Sequence, residues 1–417
     1  MDRKGSTQPM KRVLMIAYHF PPLAGSSGIQ RTLRFARHLP NFGWEPIILT
    51  ANTRAYERTA EDQVKDLPEG LKVVRAPAWD TARHFSLAGR YPAFLARPDR
   101  WVSWWLGAVP AGRALIARYS PQAIWSTYPI ATAHRIGASL HAHSQLPWIA
   151  DFRDPMAQDG YPEDPATWNS FAKIEARTIA HAAASTFTTP SALALYQQRY
   201  PSQASRMRLL ENGYDEESFA AVETGDAINP GKLTLLHSGI VYPSERDPRA
   251  LFAALARLKL NSPRTYGRLQ VRFRAPVHDQ LLNELAALHG VEDAIEVAPP
   301  TGYREALSEM LRADGLLVLQ ASNCNAQIPA KLYEYMRAGR PIIVLSDPAG
   351  DTASTSRAAG LSAIAPLDDE NAIATLLGQF VSNPDTGTHP TKSAIDGASR
   401  YGRTQLLASM LDAASYR

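Results

Sequence analysis

The chain has 417 residues, about three times an ordinary domain, which excludes one small domain and sets the expectation of two large α/β domains or three small ones. Hydrophobic residues at 45% and charged residues at 20% are globular values, and they exclude a disordered, collagen-like or coiled-coil chain. Forty-four Lys and Arg against 40 Asp and Glu leave only +4 with no basic run, so nucleic-acid binding is not expected, whereas a mild attraction to anionic lipid or a phosphorylated ligand stays open.

The polar start MDRKGSTQPMKR leads into an apolar run at 13–17, too short for a signal-peptide core or a membrane span, and no later stretch is long enough to cross a bilayer. A single cysteine, Cys324, permits no intrachain disulfide and fits a reducing compartment, so a cytoplasmic protein is expected. Short β-rich runs follow at 12–18, 45–50, 71–76, 123–127, 148–151, 185–188 and 207–211, separated by helical patterns. After Asn212-Gly213 the segment up to 231 lacks an apolar period and reads as a linker. A second series runs at 233–237, 269–274, 295–298, 315–319, 341–345 and 361–365, and a helix at 393–415 is expected to pack back on the first domain. This alternation predicts an α/β protein of two Rossmann-like domains, 1–220 with 393–417 and 221–392, whose sheet ends would frame a ligand cleft.

Three loops carry candidate chemistry. The first, from His19 to Gly28 before a helix, offers Gly25 and Gly28 for close backbone approach by an anion, though without the G-x-G-x-x-G of dinucleotide binding; an ordinary tight turn is the plain alternative. In the second, HSGIVYPSERDP, Ser238 and Gly239 end a strand and Arg246 is placed to grip a leaving diphosphate, or merely to pair with Asp247. The third, QIPAKLYEYMRAGRP, starts a helix near Pro329 and ends it at Gly339, so that Ile328, Lys331 and the helix start would lie under a diphosphate while Glu334 meets ribose hydroxyls. Its plain reading is an i,i+3 surface pair of Lys331 and Glu334 worth about 0.2–0.5 kcal/mol.

Taken in order, the stretches VLMIAYHFPPLAGSSGIQRTLRFARHL, WIADFRDP, ENGYDEESF, HSGIVYPSERDP and IPAKLYEYMRAGRPII resemble the retaining glycosyltransferases of the GT-B fold, glycosyl transferases group 1 (family 4-like), over nearly the whole chain. The resemblance implies a nucleotide sugar bound mainly by the second domain and an acceptor by the first. It implies that Glu334 holds the donor ribose, that residues 328–331 and Arg246 serve the diphosphate, and that Gly25 and Gly28 face the donor phosphates. Two departures accompany it: Ile240 stands where many relatives have a second basic residue, and Ala326 where they often have a glutamate.

At the end of a first-domain strand, Asp151 or Asp154 is a candidate to orient or deprotonate the acceptor, with Arg153 nearby and His19 lining the site; a buried Asp–Arg pair fixing the loop is the alternative. Between 90 and 119, Trp101, Trp104 and Trp105 share a helical face among arginines and are expected to form a membrane face, with a core stripe as the alternative. His134, His141 and His143 complete no metal-ligand set and are read as carrying no function. The expected activity is sugar transfer from a nucleotide-diphosphate sugar to a glycan or lipid-linked acceptor in cell-surface polysaccharide or glycoconjugate synthesis, with no cofactor and no obligatory metal. Its partners would be that donor, that acceptor and, peripherally, an anionic membrane at the inner face of the cell membrane. A non-catalytic nucleotide-sugar-binding module and an epimerase of the same fold are the alternatives.

Overall fold

The β-rich runs form thirteen strands in a computed structural model that describes residues 10–24, 28–60, 64–87, 90–220, 222 and 225–415. In the first half they are β1 (Lys11–Ile16), β2 (Trp44–Ala51), β3 (Lys72–Ala76), β4 (Ala123–Thr127), β5 (Trp148–Arg153), β6 (Ala184–Phe187) and β7 (Met207–Leu209). These pair, all parallel, in the order β3-β2-β1-β4-β5-β6-β7. The second half supplies β8 (Leu233–Ser238), β9 (Leu269–Arg274), β10 (Ile295–Ala298), β11 (Gly315–Gln320), β12 (Ile342–Ser346) and β13 (Ile364–Ala365). They form a second parallel sheet, β10-β9-β8-β11-β12-β13.

Parallel strands covered by helices on both faces must be apolar on both, which is why the central runs are almost continuously hydrophobic. Along β1 and β2, Leu14, Ile16, Ile47 and Leu49 join one buried cluster, while Val13, Met15 and Ile48 join the cluster on the opposite face. In the second sheet Leu235, Leu317 and Ile343 face one way and Leu236, Leu316 and Val344 the other. Each strand order reverses beside its first strand, and loops at the carboxyl ends of such switch points are where open α/β sheets bind ligands.

Two compact units result: Met1–Glu211 with Arg400–Arg417, and Asn212–Ser399. The division falls earlier than position 220 because the segment read as a linker contains the helix Glu216–Ala220, whose Phe219 is buried in the second unit and whose Glu216 pairs with Arg337. The terminal helix is in fact two. Lys392–Gly397 lies against the second unit's apolar cluster through Ala394 and Ile395, whereas Arg400–Ser415 seals the first sheet with Leu407, Ala408 and Leu411. That last helix is fixed by Arg403 to Glu211 at 2.7 Å and by the Trp44 indole, which donates to Asp412 at 3.0 Å.

The tryptophan face is corrected by burial. Trp104 is 0% exposed, and Trp101 and Trp105 pack against the same core. Trp101 tilts onto Tyr18 at 4.8 Å, and Trp105 donates to Ser139 Oγ at 3.0 Å with the Arg135 guanidinium over its ring at 4.5 Å. Their spacing turns them toward the sheet, so they stabilise the unit instead of meeting lipid. No helix among the described residues is long and apolar enough to cross a membrane. Trp104→Ala is expected to cost about 3–5 kcal/mol in denaturant unfolding, the usual range for emptying a core aromatic; a loss below 1 kcal/mol would contradict its place in the core.

Candidate active site

β8 ends at Ser238, and the next residue, Gly239, has φ +123°, a conformation only glycine adopts without strain. Space makes the same demand, since an added Cβ would lie 1.5 Å from Lys331 Nζ. The Lys331 ammonium is therefore packed directly on the backbone at the end of β8. It comes from the first residue of the helix Lys331–Ala338, whose end Gly339 takes the left-handed C-cap the sequence suggested. Burial first, and then the charge of Arg246, pull the Lys331 pKa down to about 8, with Glu334 opposing.

Arg246 is the second cation of the cluster. Its Nη1 donates to the Ile240 carbonyl at 2.6 Å and its guanidinium lies over the Tyr242 ring at 5.2 Å. Among the described residues it pairs with no carboxylate: Asp247 takes Arg249 instead, at 2.7 Å. Glu334, one turn along the helix from Lys331, accepts the Tyr303 hydroxyl at 2.9 Å. The i,i+3 surface pair is thus not formed, because Lys331 turns to Gly239 while Glu334 turns to Tyr303. Two further groups lock the strand end. The Ser238 N–H donates to Tyr335 Oη at 2.9 Å, and His237, held neutral by burial that pulls it to about 3, bonds the Leu317 carbonyl through Nδ1 at 2.9 Å.

Two expectations for this loop need adjustment. Ile328 is only 8% exposed and sits in the apolar cluster with Leu332, so its side chain anchors the loop. In the first turn of the helix, the N–H groups of Leu332 and Tyr333 already bond Pro329 and Ala330 at 3.0 and 3.3 Å. The positive field therefore comes chiefly from Lys331 and Arg246. Against the same 239–248 loop opens a cavity of 690 Å³ lined by Ser244, Asp247, Arg249, Asn323, Asp347 and Asp368, a volume typical of small-molecule sites and rich in groups that bond hydroxyls.

In the first unit, Asp151 is fully buried and fully bonded. Arg31 donates to both of its oxygens at 2.8 Å, and Thr127 and Thr186 add one bond each at 2.8 Å. Burial alone would raise its pKa, but the Arg31 charge and these donors hold it below the usual carboxylate range. With no lone pair left and no solvent access, Asp151 positions β4, β5, β6 and the helix Gly28–His38 and is not available as a base. Asp154 is exposed and follows Arg153, whose φ of 61° and register shift mark a bulge at the end of β5. The Arg153 carbonyl is pinned by the Thr188 N–H and hydroxyl at 3.1 and 2.8 Å, and backbone strain held this way is a feature of functional sites. His19, half-buried beyond β1, is pulled to about 4 by burial and then by the Arg153 charge, so it stays neutral. Gly28 opens its helix and is buried; Gly25 lies outside the described residues.

Arg31, Tyr303 and Tyr335 were not singled out from the sequence. None of the three carried a pattern, because their roles arise from long-range contacts.

Residues 27–213 match the family model described as glycosyl transferase 4-like domain. That stretch makes up most of the first unit. No curated protein matches by sequence. Solved structures similar across both units include a sucrose-phosphate synthase from Thermosynechococcus elongatus (15% identity, TM-score 0.61, covering 97% of this chain and 96% of that one). Anabaena HepE in complex with UDP and glucose is similar at 12% identity and TM-score 0.62, covering 97% and 99%. The lipopolysaccharide outer core galactosyltransferase WaaB, apo form, gives 12% and 0.63, covering 96% and 99%. At such identities the likeness is one of fold, and the fold is GT-B. In this GT-B chain, Gly239→Ala is expected to push Lys331 from its seat and weaken pyrophosphate binding at least tenfold by calorimetry; unchanged affinity would separate Lys331 from anion binding. In the first unit, Arg31→Ala leaves a buried carboxylate unpaired and is expected to cost about 3–5 kcal/mol. Because the Asp151 pKa is lowered in the fold, the wild type should lose this stabilisation as pH falls through and below the ordinary carboxylate range. Denaturant unfolding against pH checks both expectations.

Proposed function

We propose that this protein transfers a sugar from a nucleotide-diphosphate sugar to a hydroxyl of a glycan or lipid-linked acceptor, with retention at the anomeric carbon. One observation carries the reading: Lys331 and Arg246, neither ion-paired among the described residues, converge at the Gly239 end of β8 with Glu334 one helical turn away. Structures of HepE in complex with UDP and with UDP-glucose carry the ligand chemistry that this cation pair suits.

In this mechanism the second unit holds the donor. Glu334, oriented by Tyr303, accepts ribose hydroxyls. Lys331 and Arg246 meet the charge that grows on the diphosphate as the bond to the anomeric carbon breaks, where fixed cations act without reorganising. The polar lining of the neighbouring 690 Å³ cavity, with Asp247, Asp347 and Asp368, takes over hydroxyl contacts that the residue type at Ala326 does not provide. The first unit presents the acceptor: exposed Asp154 accepts the hydroxyl proton, and neutral His19 and Arg153 orient the acceptor oxygen. Holding the reactants in place accounts for the rest of the acceleration. The protein's own cations fill the role a metal would have, and the reading includes no resident cofactor. Peripheral membrane contact, with a cytoplasmic location on the inner face of the cell membrane, is supported by exposed Leu87 (86%) and Phe94 (69%) in the arginine-bearing segment before Trp101. A lipid-linked acceptor and a role in surface polysaccharide or glycoconjugate synthesis fit that patch.

Arg246→Ala should lower turnover about 10²–10³-fold, roughly 2.7–4 kcal/mol, as for loss of one oxyanion donor. Turnover near wild type would remove Arg246 from the reaction, and abolition of wild-type turnover by EDTA would reject the metal-free assignment. A thermal-shift series with UDP, GDP, ADP and their sugars identifies the donor, since a ligand bound only to the folded chain raises its apparent stability. Donor consumed without any acceptor would instead indicate the epimerase reading, a fold neighbour at 15% identity.

A further inference from the structure

In the first unit, a cavity of 190 Å³ lies in the groove between the helices Ala131–Ser144 and Pro165–His181, lined by His134, Arg135, Ser170, Lys173 and Arg177. Its floor includes a buried polar group with an unmet donor. His134 is 0% exposed, and its Nδ1 lies 2.8 Å from Ser126 Oγ. That same oxygen already accepts the Trp148 indole N–H at 2.8 Å, and the Ser126 hydroxyl has no other acceptor among the described residues. The hydroxyl proton therefore goes to Nδ1, and Nε2 carries the imidazole hydrogen. Nε2 is buried with no partner. Buried polar atoms are almost always bonded, so an orphan donor on a cavity wall indicates a missing acceptor.

The rim has matching charge. Arg135, Lys173 and Arg177 form no ion pair among the described residues; burial pulls the Arg135 pKa down, the charge of Asp99 opposes this, and the charge of Arg177 adds to it. Lys173 and Arg177 are exposed at i,i+4 on one helix and project the same way. The one carboxylate beside the lining residue Pro98, Asp99, is turned elsewhere: it accepts the Thr132 N–H and hydroxyl at 2.8 and 2.9 Å and the Trp101 N–H at 3.1 Å. Burial pulls His134 to about 3, so the imidazole stays neutral: Nδ1 accepts from Ser126 and Nε2 carries the one N–H left to donate. A volume well under the ~300 Å³ of ordinary ligand pockets admits one compact group.

We propose that this groove is an anion site for a single phosphate group, gripped by Arg135, Lys173 and Arg177 at the rim and by the His134 Nε2–H at its floor. The same chemistry is presented by a soluble phosphomonoester and by a phosphomonoester lipid headgroup. The proposal is independent of the donor site, whose cations stand in the other unit.

Inorganic phosphate titrated at constant ionic strength, followed by calorimetry and by the ¹H–¹⁵N resonance of His134 Nε2, tests it. Saturable binding with a shift of that resonance is expected. The affinity should fall at least tenfold in Arg177→Ala and in Lys173→Ala, both exposed and free of structural bonds, and persist in Arg246→Ala. An unmoved His134 resonance, or equal affinity in the two rim variants, overturns the site. Vesicles of phosphatidic acid against phosphatidylcholine then assign the source. Sedimentation with the former alone, competed by phosphate, indicates a headgroup, and phosphate binding without sedimentation indicates a soluble phosphomonoester.

Discussion

Seating an ammonium group against the end of a strand, beside a guanidinium and with no carboxylate ion-paired to either among the described residues, is the arrangement from which the second unit's chemistry follows. Burial strips water from Lys331 and the Arg246 charge repels it, and these two causes in that order lower its pKa to about 8. The fold holds them there nonetheless, by giving Gly239 no side chain, by tying Ser238 to Tyr335 and by fastening Arg246 to the Ile240 carbonyl. An anion entering this place is stabilised by both cations, with little reorganisation needed.

The first unit solves the opposite problem. Asp151 is a buried anion, and it is matched completely, by one guanidinium and two threonine hydroxyls drawn from neighbouring strands. This pairing fixes the ends of β4, β5 and β6, and it allows Arg153, two residues on, to hold a left-handed backbone that its own carbonyl bonds stabilise. Rigidity at Asp151 and exposure at Asp154 are therefore two sides of one design: the saturated carboxylate places the free one.

How much of this was legible depended on the range of the interactions involved. Strand positions and the two parallel sheets follow from local apolar runs, which burial on both faces of a parallel sheet enforces. The clustering of Gly239, Arg246, Lys331 and Glu334 followed from motif order, because each sits at a strand end or a helix start. The tryptophans misled because an aromatic stripe flanked by arginines has the same pattern whether its partner is lipid or a sheet, and only Tyr18 and Ser139, distant in sequence, decide between them. Asp151 was recognised, with a buried Asp–Arg pair as the alternative to a catalytic role, but its partner Arg31 is 120 residues away and has no local signal. The segment 214–231 was taken as a linker because a five-residue helix anchored by one phenylalanine is too short to show a period.

The helix Arg400–Ser415 belongs to the first sheet although the whole second unit precedes it in the chain. During synthesis, the face of the first sheet bearing Val13, Met15 and Trp125 must wait for its cover until residues 212–399 have left the ribosome. That exposes an apolar surface to chaperones for the longest part of translation. It also means that a protein shortened by its last eighteen residues, or carrying a bulky fusion at that end, would be damaged in the unit farthest from the cut in sequence.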